Sequence, residues 1–307
     1  MKERIKIVIA GGTGLIGSRL VEYLPEEKYE FCILTRGNHK AHKNITYSKW
    51  DPDKGTMDGD ILSGAKAIIN LAGAGIADKK WTTKRKELLI SSRVNSCKTL
   101  EKHMAASKEK PPFYFGASAV GLYGDRGNEK LTTESERGEG FLADVTEIWE
   151  KANSTLITLT ERHVILRIGI VLSTKGGALK EILKPANAGI YGYFGNGKAY
   201  YSWIHIDDIC KIISDSINDH SFSGVYNGTA PEPETIYNLV KAVKSAKKAF
   251  GVLMPVPKFG LKLAMGEMAD MLFNSTRVVP NRLVDKGFQF DYPDLNLAMK
   301  HLLRSKV

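Results

Sequence analysis

A chain of 307 residues that is 43% hydrophobic and 25% charged has the length and apolar content for one large domain or a domain and a half, which excludes a small stapled scaffold and a disordered chain. Its cysteines, Cys32, Cys97 and Cys210, are odd in number and scattered through apolar or helical stretches, so neither a disulfide framework nor a zinc spacing is expected, and a reducing cytoplasm fits. The net charge of +10 is spread along the chain, no apolar run approaches bilayer length and the start has no signal-peptide layout, so neither nucleic acid nor membrane is an expected partner.

In chain order, the first informative stretch is IKIVIAGGTGLIG, Ile5 to Gly17. Its apolar half suits a strand buried on both faces, and Leu15 to Leu24 supply a helix. Between them Gly12, Gly14 and Gly17 satisfy G-x-G-x-x-G, while Gly11, Gly14 and Gly17 satisfy the overlapping G-x-x-G-x-x-G. A tight turn that lets backbone approach a diphosphate leaves no room for Cβ, and the bare N–H groups that open the helix attract the anion. Strand before and helix after is the context this motif requires. Gly11, Gly14, Leu15, Ile16 and Gly17 are therefore candidate cofactor-binding residues.

Further strands are expected at Phe31 to Thr35, Ile45 to Lys49, Ala67 to Leu71, Phe113 to Ala117 and Val164 to Ile168, with helices between them, notably Lys84 to Ala106 and Leu142 to Leu159. That alternation predicts an α/β fold, a Rossmann-like doubly wound parallel sheet, with ligands at the carboxyl ends of its strands. The basic cluster Lys79, Lys80, Lys84, Arg85 and Lys86 beside Trp81 reads as a solvated helix face or as an attractor of an anionic ligand. A short strand at Val225 to Asn227 still belongs to the sheet. Helical periodicity at Ile236 to Ala249 and Phe259 to Leu272, broken at Pro255 and Pro257, marks a smaller, mainly helical substrate lobe. The expected division is residues 1–229 and 230–307, with 173–200 contributing to the second lobe.

The second strand ends in Thr35 and Arg36, with no acid at its tip. A carboxylate there would accept from a ribose 2′-hydroxyl, whereas a guanidinium pairs with a 2′-phosphate. NADP is the expected cofactor, ahead of NAD, with Thr35 as an added hydroxyl contact.

The runs GGTGLIG, NLAG at Asn70 to Gly73, Asn95, GASAVGLYG at Gly116 to Gly124, LRIGIVL at Leu166 to Leu172 and WIHIDD at Trp203 to Asp208 resemble the extended short-chain dehydrogenase/reductase superfamily. More narrowly, ADKKWT, the pair Trp149 and Glu150, and VVPNRLVDKGFQFDYPDL are similar to the bacterial epimerase family proteins, with their carboxyl-terminal domain of unknown function. The resemblance covers nearly the whole chain. It implies a nicotinamide cofactor held by the glycine loop, with Leu71, Ala72 and Gly73 at the end of the fourth strand and Arg167 near the mouth of the substrate lobe as further cofactor-binding residues. Asp51 reads either as an adenine partner or as a turn residue before Pro52.

The superfamily's chemistry needs a Ser or Thr to polarise the substrate oxygen and a Tyr-x-x-x-Lys pair to move the proton. Ser118 matches the serine. Aligning Glu150 with the family's helix glutamate puts Leu142 at the tyrosine and Thr146 at the lysine, and neither can do that work. Tyr123, just after Ser118, is the candidate replacement, either as a proton carrier or as an aromatic closing the cofactor site; a carboxylate among Asp144, Glu147 and Glu150 is the other. The Y-x-x-x-K at Tyr237 and Lys241 lacks the structural context and reads as coincidence. In H-x-D at His205 and Asp207, two ligands do not make a metal site, and Asp207 is expected to cap the following helix. The expected activity is that of an NADP-binding oxidoreductase or epimerase-like enzyme on a small polar, sugar- or nucleotide-derived molecule, or else of a non-catalytic NADP(H)-binding sensor.

Overall fold

The computed structural model describes residues 4–248 and 250–304. In chain order the first half runs β1 (Ile5–Ala10), α1 (Leu15–Tyr23), β2 (Tyr29–Thr35), β3 (Ile45–Asp51), β4 (Thr56–Met57), β5 (Ala67–Asn70), α2 (Thr83–Ala106), β6 (Phe113–Ala119), β7 (Lys130–Leu131) and α3 (Phe141–Ile157). The second half runs β8 (Arg162–Ile168), β9 (Ile170–Leu172), α4 (Gly177–Ala186), β10 (Ile190–Phe194), β11 (Tyr200–Tyr201), β12 (Trp203–His205), α5 (Ile206–Asn218), β13 (Gly224–Gly228), β14 (Glu234–Thr235), α6 (Ile236–Lys247), β15 (Val252–Val256), α7 (Lys258–Met265), β16 (Arg277–Val278), α8 (Asn281–Asp285) and α9 (Leu295–Arg304).

Eight strands form one sheet in the order β13-β8-β6-β5-β1-β2-β3-β4, parallel except for the last pair. The order reverses between β1 and β5, and at that switch point the carboxyl ends of neighbouring strands diverge and open a crevice. The alternation of β1 shows why the sheet is covered on both sides. Ile7 and Ile9 face a core with Leu20 of α1 and Ile209, Ile212 and Ile213 of α5. Val8 and Ala10 face the opposite core with Cys97, Leu100 and Met104 of α2 and Trp149 and Leu156 of α3. This is the α/β Rossmann-like fold the periodicity predicts.

A third core joins Leu172, Leu179, Tyr191 and Trp203 to α6 and α9. The carboxyl-terminal third also packs back on the first half, where β16 pairs with β7 in a separate two-stranded ladder and Leu283 of α8 enters the first core. Among the described residues no helix is long and apolar enough to cross a membrane. Helix α9 and the short pairings of β9 with β12 and of β10 with β15 lie outside the expected elements; strands of three to five residues carry too few alternations to register as a pattern.

Candidate functional site

The glycine loop is built by backbone contact. Gly11 has φ of +81°, and a Cβ there would lie 2.7 Å from the Leu71 carbonyl carbon. A Cβ on Gly17 would lie 2.5 Å from the Gly11 carbonyl oxygen, so α1 starts flush against the turn. The helix has Gly14 as its N-cap and no side chain capping it. Its first N–H groups are left for a ligand, in a cradle any larger residue would fill; the residues present fit a dinucleotide's diphosphate.

Arg36 is exposed and has no ion pair or hydrogen bond among the described residues. Thr35 is buried, and its hydroxyl accepts from the Gly37 N–H at 3.1 Å, closing the turn. Asp51 accepts from the Asp53 N–H and lies 3.7 Å from Lys54, the pattern of a turn residue. Asn95 donates to Asp53. Leu71 donates its N–H to Ala10, and the Ala72 N–H reaches Asn70 Oδ1, so this backbone lies directly beside the glycine loop.

At the end of β6 a chain of polar groups is linked by hydrogen bonds. Ser118 Oγ donates to Glu150 Oε1 at 2.5 Å. Arg167 grips the same carboxylate with Nε and Nη2 at 2.8 and 3.0 Å, and donates through Nη1 to Tyr123 Oη at 2.8 Å and to the Thr133 carbonyl. Tyr123 in turn donates to Asn227 Oδ1 at 2.8 Å. Burial pulls the Arg167 pKa down, but the hydrogen bonds and charge of Glu150 outweigh it and hold the guanidinium charged. Burial pushes the Tyr123 phenol up, even against the pull of Arg167.

Two of the sequence expectations change here. Tyr123 is wholly buried with its hydroxyl satisfied in both directions, so it does not line a shared pocket as a proton carrier. The guanidinium of Arg167 is engaged within the protein, with its side chain 11% exposed, rather than open to a cofactor. Nothing in the spacing signals either fact: the bonds span 17 to 104 residues. Of the helix carboxylates, Asp144 and Glu147 pair with Arg137.

Leu142 lines a cavity of about 340 Å³ with Trp81, Phe141, Asp125, Glu267 and Met271, between the start of α3 and the segment that precedes β16. Thr146 turns its hydroxyl back to the Leu142 carbonyl at 2.7 Å. Of the basic cluster, Arg85 is not a solvated side chain: it is 11% exposed and donates to the Gly75 carbonyl. Tyr237 stacks edge-on against Tyr193, which packs on the third core.

His205, not Asp207, caps α5: its Nδ1 accepts from the Asp207 N–H at 3.0 Å. Folding adds His301 to the H-x-D, the donor atoms of all three lying within 4.8 Å. Those atoms are engaged with one another and with Arg19, through His205 Nε2 to His301 Nδ1 at 3.1 Å and Arg19 Nε to Asp207 Oδ1 at 2.6 Å. Trp203 is core, as expected.

Residues 7–141 match the NAD dependent epimerase/dehydratase family and residues 256–302 a domain of unknown function. An epimerase family protein of Staphylococcus saprophyticus is 34% identical over 303 residues, covering 96% of this chain and 98% of the relative; the epimerase family protein YfhF of Bacillus subtilis is 33% identical over 304 residues, covering 98% and 99%. Among solved structures, the human epimerase family protein SDR39U1 with NADPH superposes with a TM-score of 0.88 at 26% identity, covering 98% of this chain and 99% of that one. The nucleoside-diphosphate sugar epimerase of Corynebacterium glutamicum gives 0.78 at 32% identity, covering 98% of this chain and 58% of that one. With its Rossmann-like sheet, its bare glycine loop and relatives matched end to end, the chain belongs to the epimerase family proteins of the NAD dependent epimerase/dehydratase type, as a nucleotide-binding, epimerase-like protein.

Proposed function

We propose that the protein is an NADP-binding oxidoreductase or epimerase-like enzyme for a small polar molecule, in which Ser118 and Glu150 stand in for the missing Tyr-x-x-x-Lys pair. The observation that carries this reading is the 2.5 Å hydrogen bond from Ser118 to a carboxylate held by the fork of Arg167. A nicotinamide, when bound, supplies or accepts the hydride. Because the Ser118 proton is directed at Glu150, Ser118 Oγ offers a lone pair to a substrate hydroxyl; as that proton arrives on Oγ, the serine's own proton passes to Glu150 Oε1. Arg167 fixes the carboxylate, and Tyr123 and Asn227 fix Arg167. Support for NADP comes from the guanidinium of Arg36 at the tip of β2, which has no partner among the described residues, and from the NADPH in the human relative's structure.

A second reading has its own support. Ser118 is only 2% exposed, and Leu142 and Thr146 occupy the positions of the usual proton carriers, which suits a non-catalytic NADP(H)-binding regulatory protein. One experiment separates the two: purified protein with NADPH and a panel of carbonyl compounds, and with NADP and the matching alcohols. Turnover that falls at least 100-fold in both Ser118→Ala and Glu150→Gln supports the enzyme. Tight NADPH binding with no turnover across the panel supports the regulator.

A further inference from the structure

The loop after β5 is clamped by two arginines of α2. Arg85 Nη2 donates to the Gly75 carbonyl at 2.5 Å, and Arg93 Nη1 donates to the carbonyls of Ala74 at 3.1 Å and Leu89 at 2.8 Å. Arg85 has Asp78 at 3.6 Å. Arg93 has no carboxylate partner among the described residues; it lies over the Trp149 ring at 4.8 Å. Burial first, and the repulsion of Arg85 second, lower the Arg93 pKa to about 10. A guanidinium presents five N–H donors in a planar fork, and one edge of this one, Nε with Nη2, donates to nothing among the described residues. Burying a cation without a counter-charge is costly, and a ligand anion removes that cost.

The position tells what the free edge meets. A Cβ on Gly73 would lie 3.2 Å from Arg93 Cγ and 3.3 Å from its Cζ, and Gly11 of the glycine loop touches Leu71 and Ala72, the residues just before. On the other side Trp149 precedes Glu150, the partner of Ser118. Arg93 therefore stands between the diphosphate end of the crevice and its serine end.

We infer that Arg93 is a binding residue whose Nε–Nη2 edge takes an anionic oxygen, phosphate or carboxylate, of a molecule lying between the glycine loop and Ser118. The inference rests on the reading that a dinucleotide occupies the crevice; the anion belongs either to that cofactor or to the substrate beside it. A planar fork suits either bidentately, which an ammonium does not reproduce.

Calorimetric titration of cofactor-free wild type, Arg93→Met and Arg93→Lys with NADPH, and of the cofactor-free and NADPH-saturated proteins with inorganic phosphate and pyrophosphate, decides the matter. A loss of tenfold or more in NADPH affinity in Arg93→Met, partly recovered in Arg93→Lys, assigns the anion to the cofactor. Unchanged NADPH affinity with loss of phosphate binding to the NADPH-saturated protein assigns it to the substrate. Equal binding of every probe by wild type and Arg93→Met overturns the inference. Failure of the wild type to bind NADPH sinks the functional reading alone, since the phosphate titrations on cofactor-free protein still decide Arg93.

Discussion

The two ends of the crevice are built on opposite principles. At the glycine loop, polar groups are left open: α1 starts without a side-chain cap and Arg36 has no partner among the described residues. At the end of β6 the groups are satisfied internally, Ser118 by Glu150, Glu150 by Arg167, Arg167 by Tyr123 and Tyr123 by Asn227. Open amides and an open guanidinium can take an anion from outside, whereas a closed chain of charge-assisted hydrogen bonds holds its own geometry without a ligand. An enzyme needs both kinds of end. A protein that only senses its cofactor needs the first.

The largest expected effect breaks the closed end. Glu150→Ala leaves the guanidinium of Arg167 buried without its carboxylate, and urea unfolding should show a loss of about 3–5 kcal/mol. A loss below about 1 kcal/mol would mean that water reaches Arg167 and that this end is not closed. Next, Gly17→Ala drives a Cβ against Gly11 and Gly12 backbone at 2.5–2.6 Å. NADPH affinity should fall about 100-fold, roughly 2.7 kcal/mol, by calorimetry, and retention of affinity would place the cofactor elsewhere.

The third test concerns the brace beneath the open end, where Arg19 of α1 pairs with Asp207 and His205 caps α5. Burial lowers the His205 pKa to about 4, against about 6.5 in the unfolded chain, so the stability from its neutral form is complete above pH 6.5 and is lost as pH falls toward 4. Asp208 runs the other way: burial raises it to about 6, so its contribution is greatest at low pH and is lost as pH rises from about 4 to 6. His205→Asn keeps a capping oxygen and removes the first effect alone. Between pH 7 and pH 4.5 the variant should lose about 2 kcal/mol less than the wild type by urea midpoint. Identical pH profiles would count against the buried neutral histidine. The smallest effect is at Arg36: Arg36→Ala should weaken NADPH about tenfold and leave NADH unchanged, whereas equal changes for both would remove the 2′-phosphate assignment.

The open end was legible in the sequence because its parts are contiguous. A strand, three spaced glycines and a helix start lie within thirteen residues, and each glycine announces a steric demand that the structure displays. The closed end was only half legible. That Ser118 sits at the carboxyl end of a sheet strand follows from its place after an apolar run. That Glu150 faces Ser118 while Asp144 and Glu147 turn to Arg137 depends on the rotation of α3 against the sheet, which no local pattern encodes. Arg93 was hidden for the same reason: its neighbour Asn95 in the motif faces Asp53, while Arg93 lies beneath the Gly73 loop.

By itself, the order of residues determined the parallel sheet, its hydrophobic alternation and the tight glycine turn that opens α1, because these rest on periodicity and on the steric absence of Cβ, both properties of a short stretch of chain. Tertiary structure alone decided which charges distant in sequence meet. Arg167 finds Glu150 and Tyr123, His205 finds His301, and Arg93 finds no carboxylate among the described residues, because pairing at hydrogen-bond range is set by how helices and strands distant in sequence come to lie side by side.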